Sequence, residues 1–171
     1  GPGRPLGFHA VADALYVACS LKGLLKLNMA SGQLEVLANV AEDTNQVLNY
    51  VNDLDVAPNG DIYFTSSTER GVLFNAKKGF YDTLHSYLQN LCKGDNTGRL
   101  LKYDAATRTT STLLSGLWYA NSVALSADYR DVMVVETNLN RVHRYSLTTG
   151  NTEVFVDKIP AMPDGISRAD D

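Results

Sequence analysis

Short apolar stretches recur along the chain, and turn residues separate them. They form three consecutive units. The stretches lie at 14–18, 23–27 and 34–37 in the first unit, which opens at Leu6, at 52–56, 61–65, 98–103 and 111–114 in the second, and at 121–125, 132–135, 141–145 and 152–156 in the third. Because β-branched and aromatic residues are common in them, each stretch predicts a short β-strand.

The breaks between these stretches carry the residues of tight hairpins, such as Asn59-Gly60 and Ser31-Gly32, which tolerate the positive φ that such turns need. Four antiparallel strands in each repeated unit are typical of β-propeller blades. We therefore predict an all-β propeller fold for the whole chain, 1–171. The expected blades are 6–48, 52–117 and 121–160, with the start of a further blade at 164–171.

The spacing of the units predicts an insertion in the second blade. Asn121 and Asp164 open successive units 43 positions apart, which is about the ~40–45 residues of one blade. Asn52 and Asn121 are 69 positions apart, so 26 extra residues fall within 68–97. Apolar residues at helical spacing there predict a short amphipathic helix at 79–91 over one face of the propeller, either as a cover for apolar surface or as a lid over a substrate. They are Phe80, Leu84, Tyr87, Leu88 and Leu91.

Three blades do not close a ring, since propellers typically have about 4–8 blades. The chain is long enough for about half of a six-bladed propeller. It is then either a fragment or one part of an assembly in which another chain, or a second copy, supplies the remaining blades. An open half-propeller exposes strand edges and an apolar flank, which favours such association.

Composition excludes some functions. The net charge is −4 and the 15 basic residues are spread along the chain, so we expect no nucleic-acid partner. No apolar run has the roughly 20 residues of a membrane span, so we expect any membrane-spanning anchor to lie in segments outside these residues. Cys19 and Cys92 form no metal-binding motif, and we expect two unpaired buried thiols, with a disulfide as the alternative.

Three polar residues open successive units at one equivalent position: Asn52, Asn121 and Asp164. In a propeller this position lies at the mouth of the central channel, so the repeat places three oxygen-bearing side chains around one axis. Such a set suits calcium, which takes carboxylate and amide oxygens, and not zinc. The alternative is that each residue only caps a local turn. Asp53 could bind a deeper ion or a neighbouring backbone group.

No catalytic triad is visible in the sequence. His9, His85 and His143 fall on a strand, on the inserted helix and on an outer strand, where structural or surface roles are expected. Ser122 lacks the Gly-x-Ser-x-Gly setting of a hydrolase nucleophile. We expect Glu136 to be solvent-exposed or in a turn. No glycine-rich phosphate loop is present.

Several motifs closely resemble the strictosidine synthase-like family, in particular its adipocyte plasma-membrane-associated branch. They are Gly3-Arg4-Pro5-Leu6-Gly7, Lys22-Gly23-Leu24, Val51-Asn52-Asp53-Leu54, Ile62-Tyr63-Phe64-Thr65, Thr97 to Asp104, Ala120 to Ser126, Val135-Glu136-Thr137 and Met162-Pro163-Asp164. The resemblance covers nearly the whole chain in order. It implies a six-bladed propeller of which this chain is the middle, and a location in the secretory pathway or at a membrane.

The resemblance also implies a site. The family is related in fold to paraoxonases and gluconolactonases, in which a calcium ion at the channel mouth polarises the carbonyl of an ester or lactone. Asn52, Asn121 and Asp164 match three of its ligand positions, and a further glutamate ligand would lie outside this chain. Asp164 would be both a metal ligand and the catalytic residue that orients a base.

Departures from the family pattern leave other functions open. Gly165 stands where relatives often have Asn, and Cys19 and Ser66 stand where they commonly have Asp. A calcium-dependent esterase or lactonase is the leading hypothesis, with a small ester or lactone as substrate. The alternative is a non-catalytic propeller that binds a ligand or partner. A condensing enzyme of the Pictet–Spengler type is a third possibility, although its glutamate acid/base would lie in a later blade. Fold alone does not decide among these reactions.

Overall fold

A computed structural model describes residues 3–169, and its first sheet is a four-stranded antiparallel blade. The strands follow one another in chain order as β1 Pro5–Val11, β2 Ala14–Cys19, β3 Gly23–Asn28 and β4 Leu34–Ala38. A two-stranded hairpin, β5 Val40–Ala41 and β6 Gln46–Val47, then leads to the second blade.

The second blade is interrupted between its second and third strands. Its first two strands are β7 Val51–Val56 and β8 Ile62–Ser66. The insertion consists of the hairpin β9 Leu73–Asn75 and β10 Phe80–Asp82, followed by α1 Thr83–Lys93, which ends at Gly94 in the left-handed conformation. The blade is completed by β11 Gly98–Asp104 and β12 Thr109–Leu117.

The third blade is again a four-stranded antiparallel sheet in chain order. Its strands are β13 Ala120–Leu125, β14 Asp131–Glu136, β15 Arg141–Ser146 and β16 Thr152–Val156, with a short 3-10 turn at Thr137–Leu139. Residues 157–169 form no strand, and Asp170 and Asp171 lie outside the described residues. The start of a further blade at 164–171 therefore stays a prediction.

The blades repeat at the level of strand register. The residue at the end of each second strand pairs with a residue at the start of the inner strand: Cys19 with Pro5, Ser66 with Val51 and Glu136 with Ala120. The three inner strands β1, β7 and β13 lie side by side. The expected all-β fold of propeller blades with a helical insertion is confirmed.

The core lies between blades, and blade 2 buries both faces of its sheet, one against blade 1 and the other against blade 3. In blade 2, Ile62 and Phe64 face blade 1, and Tyr63 between them faces blade 3. On β11, Leu101 likewise faces blade 1 and Leu100 faces blade 3. This two-residue alternation is what strand geometry dictates, since successive side chains point to opposite faces.

The helix differs from its prediction in bounds and in orientation. It begins at Thr83 rather than at 79, because the three residues before it pair as a strand. Ser86 and Asn90 are its buried residues, whereas leucines point outward. The polar side chains face inward because they satisfy loop groups: Ser86 Oγ donates to the Gly71 carbonyl at 3.1 Å, and Asn90 Nδ2 donates to the Asp95 carbonyl at 2.9 Å.

Both cysteines are free, as expected, but only Cys19 is buried and Cys92 is exposed on the helix. The expectation of two buried thiols was wrong for Cys92, since it lies on the outward side of α1. Among residues 3–169, no helix is long and apolar enough to cross a membrane.

Candidate functional site

The three polar residues that open successive units form one continuous row. Asn52 Nδ2 donates a hydrogen bond of 2.9 Å to Asn121 Oδ1. Asn121 Nδ2 in turn donates one of 2.6 Å to Asp164 Oδ1. Residues far apart in the chain thus meet at one place, and the row ends in a single carboxylate.

Each asparagine is also held by a hydroxyl of its own blade. Asn52 Nδ2 donates to Ser67 Oγ at 2.8 Å, and Asn121 Nδ2 donates to Thr137 Oγ1 at 3.0 Å. Ser67 and Thr137 both come directly after the second strand of their blades. Equivalent residues therefore make equivalent bonds in blades 2 and 3, which argues against independent turn-capping roles for the asparagines.

Asp164 is positioned by a segment without regular secondary structure. Asn52 and Asn121 lie on the inner strands β7 and β13, but Asp164 follows β16 in an irregular stretch and is exposed. Thr137 Oγ1 donates to the Pro163 carbonyl at 2.8 Å and so ties this stretch to blade 3. Thr137 therefore contacts both Asn121, in the middle of the row, and Pro163, the residue before Asp164.

A pair of tyrosines stands beside the row. Tyr50 and Tyr119 each lie two residues before an asparagine of the row. The Tyr119 hydroxyl donates to the Tyr50 hydroxyl at 2.9 Å, and their rings meet edge to face with centroids 5.8 Å apart. Tyr119 adopts a left-handed backbone conformation with φ of 67°, which is unusual for a residue with a bulky side chain.

Burial keeps both tyrosines neutral. It raises the pKa of Tyr119, and the nearby Tyr50 raises it further. Burial also raises the pKa of Tyr50, and this outweighs the opposing effect of its hydrogen bonds with Tyr119 and Thr83. The pair therefore presents hydroxyl groups and aromatic surface, and no negative charge, to its surroundings.

The inserted helix supplies another wall of the same space. The Tyr87 ring packs edge-on against Tyr119 with centroids 5.0 Å apart, and its hydroxyl donates to Met162 Sδ at 3.4 Å. Together these elements line an open cavity of about 660 Å³. Its lining includes the row Asn52, Asn121 and Asp164, the three tyrosines, Leu6, Leu84 and Met162. Asp53, Ser122 and Thr137 add polar groups next to the row, and the leucines, Met162 and the tyrosine rings make the rest mostly apolar.

Two aspartates of β7 join blade 2 to blade 3 below the row. Asp53 Oδ2 accepts the backbone N–H of Val123 at 3.2 Å and also the Ser122 hydroxyl. Asp55 Oδ2 accepts the backbone N–H of Leu125 at 2.8 Å. Of the two roles expected for Asp53, the contact with a neighbouring backbone group is the one observed. These carboxylates satisfy N–H groups of β13, which is the edge strand of its sheet and has no hydrogen-bonded strand on that side.

Glu136 is fully buried, so the expectation of an exposed or turn residue was wrong. Its carboxylate accepts hydrogen bonds from the Trp118 backbone N–H at 2.7 Å and from Arg141 Nε at 2.5 Å. It is also hydrogen-bonded to His143 Nε2 at 2.7 Å. Burial acts to raise the pKa of Glu136, but the hydrogen bonds from His143, Arg141 and Trp118 outweigh it and lower the pKa. The carboxylate thereby fixes the turn that carries Tyr119.

The same strand-end position holds different residues in the other blades. Cys19 and Ser66 are both buried there, and Ser66 Oγ has no hydrogen-bond partner among the described residues. Only blade 3 therefore carries a carboxylate at this position, which explains why only one of the three turns is held in this way.

The histidines lie apart from the cavity, as expected. His9 Nδ1 is 3.2 Å from Asp55 Oδ1, and His143 bonds Glu136. His85 is exposed on the helix, with Nε2 at 3.0 Å from Gln89 Nε2. None of the three lines the cavity described above.

The row fits a hard cation by its chemistry, since its members carry the amide and carboxylate oxygens that calcium takes as ligands. It brings one carboxylate, because two of its three members are amides. Across the described ranges, no three His, Cys, Asp or Glu side chains are grouped as a metal site. Asn52, Asn121 and Asp164 are the residues that would hold calcium here.

Residue-by-residue reading of the sequence missed the tyrosines and the hydroxyls. A signal for them was present, because Tyr50-Val51-Asn52 and Tyr119-Ala120-Asn121 repeat the same pattern. Ser67 and Thr137 follow their asparagines by 15 and 16 positions. Glu136 had no such signal, since its burial depends on the neighbouring strand and turn.

Known proteins resemble this chain in sequence. Residues 52–150 match the model of the strictosidine synthase family. The adipocyte plasma membrane-associated protein of Salmo salar is 34% identical over 173 residues, covering 98% of this chain and 39% of that protein. Protein STRICTOSIDINE SYNTHASE-LIKE 2 of Arabidopsis thaliana is 35% identical over 178 residues, covering 98% of this chain and 44% of that protein. The chain thus spans about two fifths of the length of these relatives.

Solved structures share the fold. A gluconolactonase from Xanthomonas campestris superposes with a TM-score of 0.68 at 19% identity, covering 90% of this chain and 48% of that one. The calcium-binding protein regucalcin from Agrobacterium tumefaciens gives a TM-score of 0.61 at 21% identity, with 94% and 48% covered. These structures support a partial β-propeller. On the match to residues 52–150, together with the relatives, the chain belongs to the strictosidine synthase family.

Proposed function

We propose that this chain forms part of the channel mouth of a calcium-dependent hydrolase that acts on esters or lactones. The observation that carries the proposal is the row Asn52–Asn121–Asp164 on the wall of a cavity of about 660 Å³. A polar row beside apolar and aromatic walls suits a small substrate with one polarised carbonyl. The kinship in fold with a gluconolactonase and with calcium-binding regucalcin supports the same chemistry.

Each residue has a distinct part in this proposal. Calcium bound here would act as a Lewis acid towards a carbonyl oxygen. Asn52 and Asn121 offer neutral amide oxygens, and Asp164 supplies the charge of the row. As the exposed end of the row, Asp164 is also the residue that would orient a base. Tyr50 and Tyr119, kept neutral by burial, exclude water from one side and give the substrate an aromatic surface.

Calcium binding and turnover test this function separately. A hundredfold excess of calcium over Kd should stabilise the folded chain by about 2.7 kcal/mol relative to chelator, measured by thermal unfolding. Asp164→Asn should abolish this gain and calcium-dependent hydrolysis of phenyl acetate and of a lactone. Asp128→Asn, on an exposed turn of blade 3, is the matched control and should keep both. Equal calcium responses in Asp164→Asn and in the unsubstituted chain would contradict the assignment.

A non-catalytic ligand-binding propeller is the second candidate. It is favoured by the hydrogen bonding within the row, because each amide group donates both to another member of the row and to a hydroxyl. Such a row is stable without an ion. This candidate predicts that esters, lactones or their aromatic analogues bind without calcium and are not turned over. The third possibility, a Pictet–Spengler condensation, predicts product from an arylethylamine and an aldehyde.

We further propose that additional propeller blades, from another chain or a second copy, cover the flanks of this one. Apolar side chains on β16 are exposed along blade 3, among them Val154, Phe155 and Val156. The greater length of the relatives supports this arrangement. Sedimentation analysis at several concentrations should show self-association if a second copy supplies the blades. By the same family kinship, a secretory or membrane-associated location is proposed.

A further inference from the structure

The outer side of the inserted helix is apolar, although the helix buries polar residues. Leu84, Leu88 and Leu91 are 56%, 46% and 37% exposed and lie on one side at helical spacing. We call these three side chains the leucine face. A helix that packs on a protein core for its own stability normally turns such a face inward. Here the inward side is occupied by Ser86 and Asn90, whose hydrogen bonds fix the orientation.

The hairpin before the helix extends the exposed apolar area. Leu73, Phe74 and Phe80 are all exposed on β9 and β10. The Phe74 ring packs on Tyr81 with centroids 5.3 Å apart, so the hairpin is a packed element rather than a loose loop. Six large apolar side chains are therefore exposed within one insertion, and concentrated exposure of this kind marks an interaction surface.

Basic side chains lie beside this exposed apolar surface. Lys77 and Lys93 are exposed at the hairpin turn and in the last turn of the helix. The Lys78 ammonium lies 3.1 Å from Asp82 Oδ2 and 5.6 Å from the centre of the Phe80 ring. The Arg70 side chain pairs with Asp95 at 2.6 Å.

The acidic residues of the insertion are engaged elsewhere. Asp82 is buried and bonded by Asn75 and Lys78, and Glu69 accepts a hydrogen bond from Gln46. Lysines at the margin of leucine and phenylalanine side chains complement anionic lipid headgroups over an apolar acyl region.

We propose that the leucine face and the exposed side chains of the β9–β10 hairpin dock on the surface of an anionic lipid bilayer. The helix lies in the plane of the interface, its leucines enter the headgroup boundary, and Lys77 and Lys93 contact lipid phosphates. Leu84 and Tyr87 also line the cavity, so docking places the cavity mouth beside the bilayer. An apolar ligand can then pass from the membrane to the row of polar residues. The docking surface does not depend on whether that row is catalytic.

Vesicle binding tests the surface. The chain should co-sediment with vesicles of phosphatidylcholine containing phosphatidylserine, and less with phosphatidylcholine alone. Leu84→Gln combined with Leu88→Gln and Leu91→Gln should lower the partition coefficient by about tenfold or more, since each leucine contributes apolar area to the interface. The control combines Met29→Gln, Leu34→Gln and Val36→Gln, which replaces three exposed apolar side chains of blade 1 and should leave binding unchanged.

Cys92 provides an independent readout on the same helix, because it is exposed and four positions after Leu88, whereas Cys19 is buried. A polarity-sensitive fluorophore on Cys92 should shift to shorter wavelength with anionic vesicles, and Lys77→Glu with Lys93→Glu should reduce the shift. Equal vesicle binding by the leucine-face variant and the unsubstituted chain would overturn the proposal. The proposal would also be overturned if the unsubstituted chain bound no vesicles but self-associated, and the leucine-face variant lost that self-association. The leucine face would then contact a second copy of the chain.

Discussion

Asn52 and Asn121 are separated by 69 positions in the chain, and one hydrogen bond of 2.9 Å joins their side-chain amides. This bond links blade 2 to blade 3 at the edge of the cavity. Since each asparagine also bonds the hydroxyl after its own second strand, the link repeats the geometry of one blade in the next. Stability and site geometry therefore depend on the same side chains.

Asn121→Ala should destabilise the fold as well as the site. It removes the acceptor of Asn52 Nδ2 and the donor to Thr137 and Asp164. Groups left unpaired in a largely buried place cost about 1–3 kcal/mol each, so we expect a loss of at least about 2 kcal/mol in the free energy of unfolding. Urea titration measures it. Asn96→Ala, at an exposed position, should change stability by less than about 0.5 kcal/mol.

Asp55→Ala should weaken the junction between blades 2 and 3. The Asp55 carboxylate accepts the backbone N–H groups of Val56 and Leu125, both at 2.8 Å and buried. Their loss should lower the free energy of unfolding by about 2–3 kcal/mol, because both N–H groups would be left buried without an acceptor. Equilibrium unfolding is the measurement, and Asp13→Ala on an exposed turn is the control. A loss no larger than that of the control would show that the junction relies on apolar packing alone.

Gly7→Ala should strain the contact between the inner strands of blades 1 and 2. A Cβ at Gly7 would lie 2.8 Å from the Asp53 Cα atom and 2.9 Å from the Asn52 carbonyl oxygen, both in the backbone. Overpacking of this kind costs about 1–3 kcal/mol, and the shift should reach the row through Asn52. Thermal unfolding tests it. Gly71→Ala meets nothing within 4 Å and should be nearly neutral, so similar midpoints for the two variants would disprove the close approach.

Glu136→Gln should change the pH dependence of stability. The folded-state pKa of Glu136 is lowered below its usual 4.5, chiefly by hydrogen bonds from His143 and Arg141 that outweigh burial. Its contribution is therefore present above pH 4.5 and is lost as the pH falls through the lowered pKa. We expect the variant to be about 2–3 kcal/mol less stable at pH 7, with the difference shrinking in acid.

Urea unfolding of both proteins across that pH range measures this difference. Glu153→Gln, which removes an exposed ion pair with Arg144, is the control and should have a small effect at every pH. A constant difference between Glu136→Gln and the unsubstituted chain down to strong acid would mean that the Glu136 carboxylate does not contribute through its charge.

Local rules that repeat along the chain were enough to predict the blades and the row. Strand alternation and turn residues predicted the three four-stranded units. Asn52, Asn121 and Asp164 were found together since equivalent positions of a repeat converge on one axis. The pattern also predicted a helix in the insertion of blade 2.

The inward side of that helix and the burial of Glu136 depended instead on how separate segments pack together. Helical spacing identifies an apolar side but not its neighbour, and Ser86 and Asn90 faced inward because loop carbonyls there needed donors. Glu136 became buried because Trp118, Arg141 and His143 surround it with donors. In both cases the hydrogen-bonding partners come from other segments, whose positions no local pattern specifies.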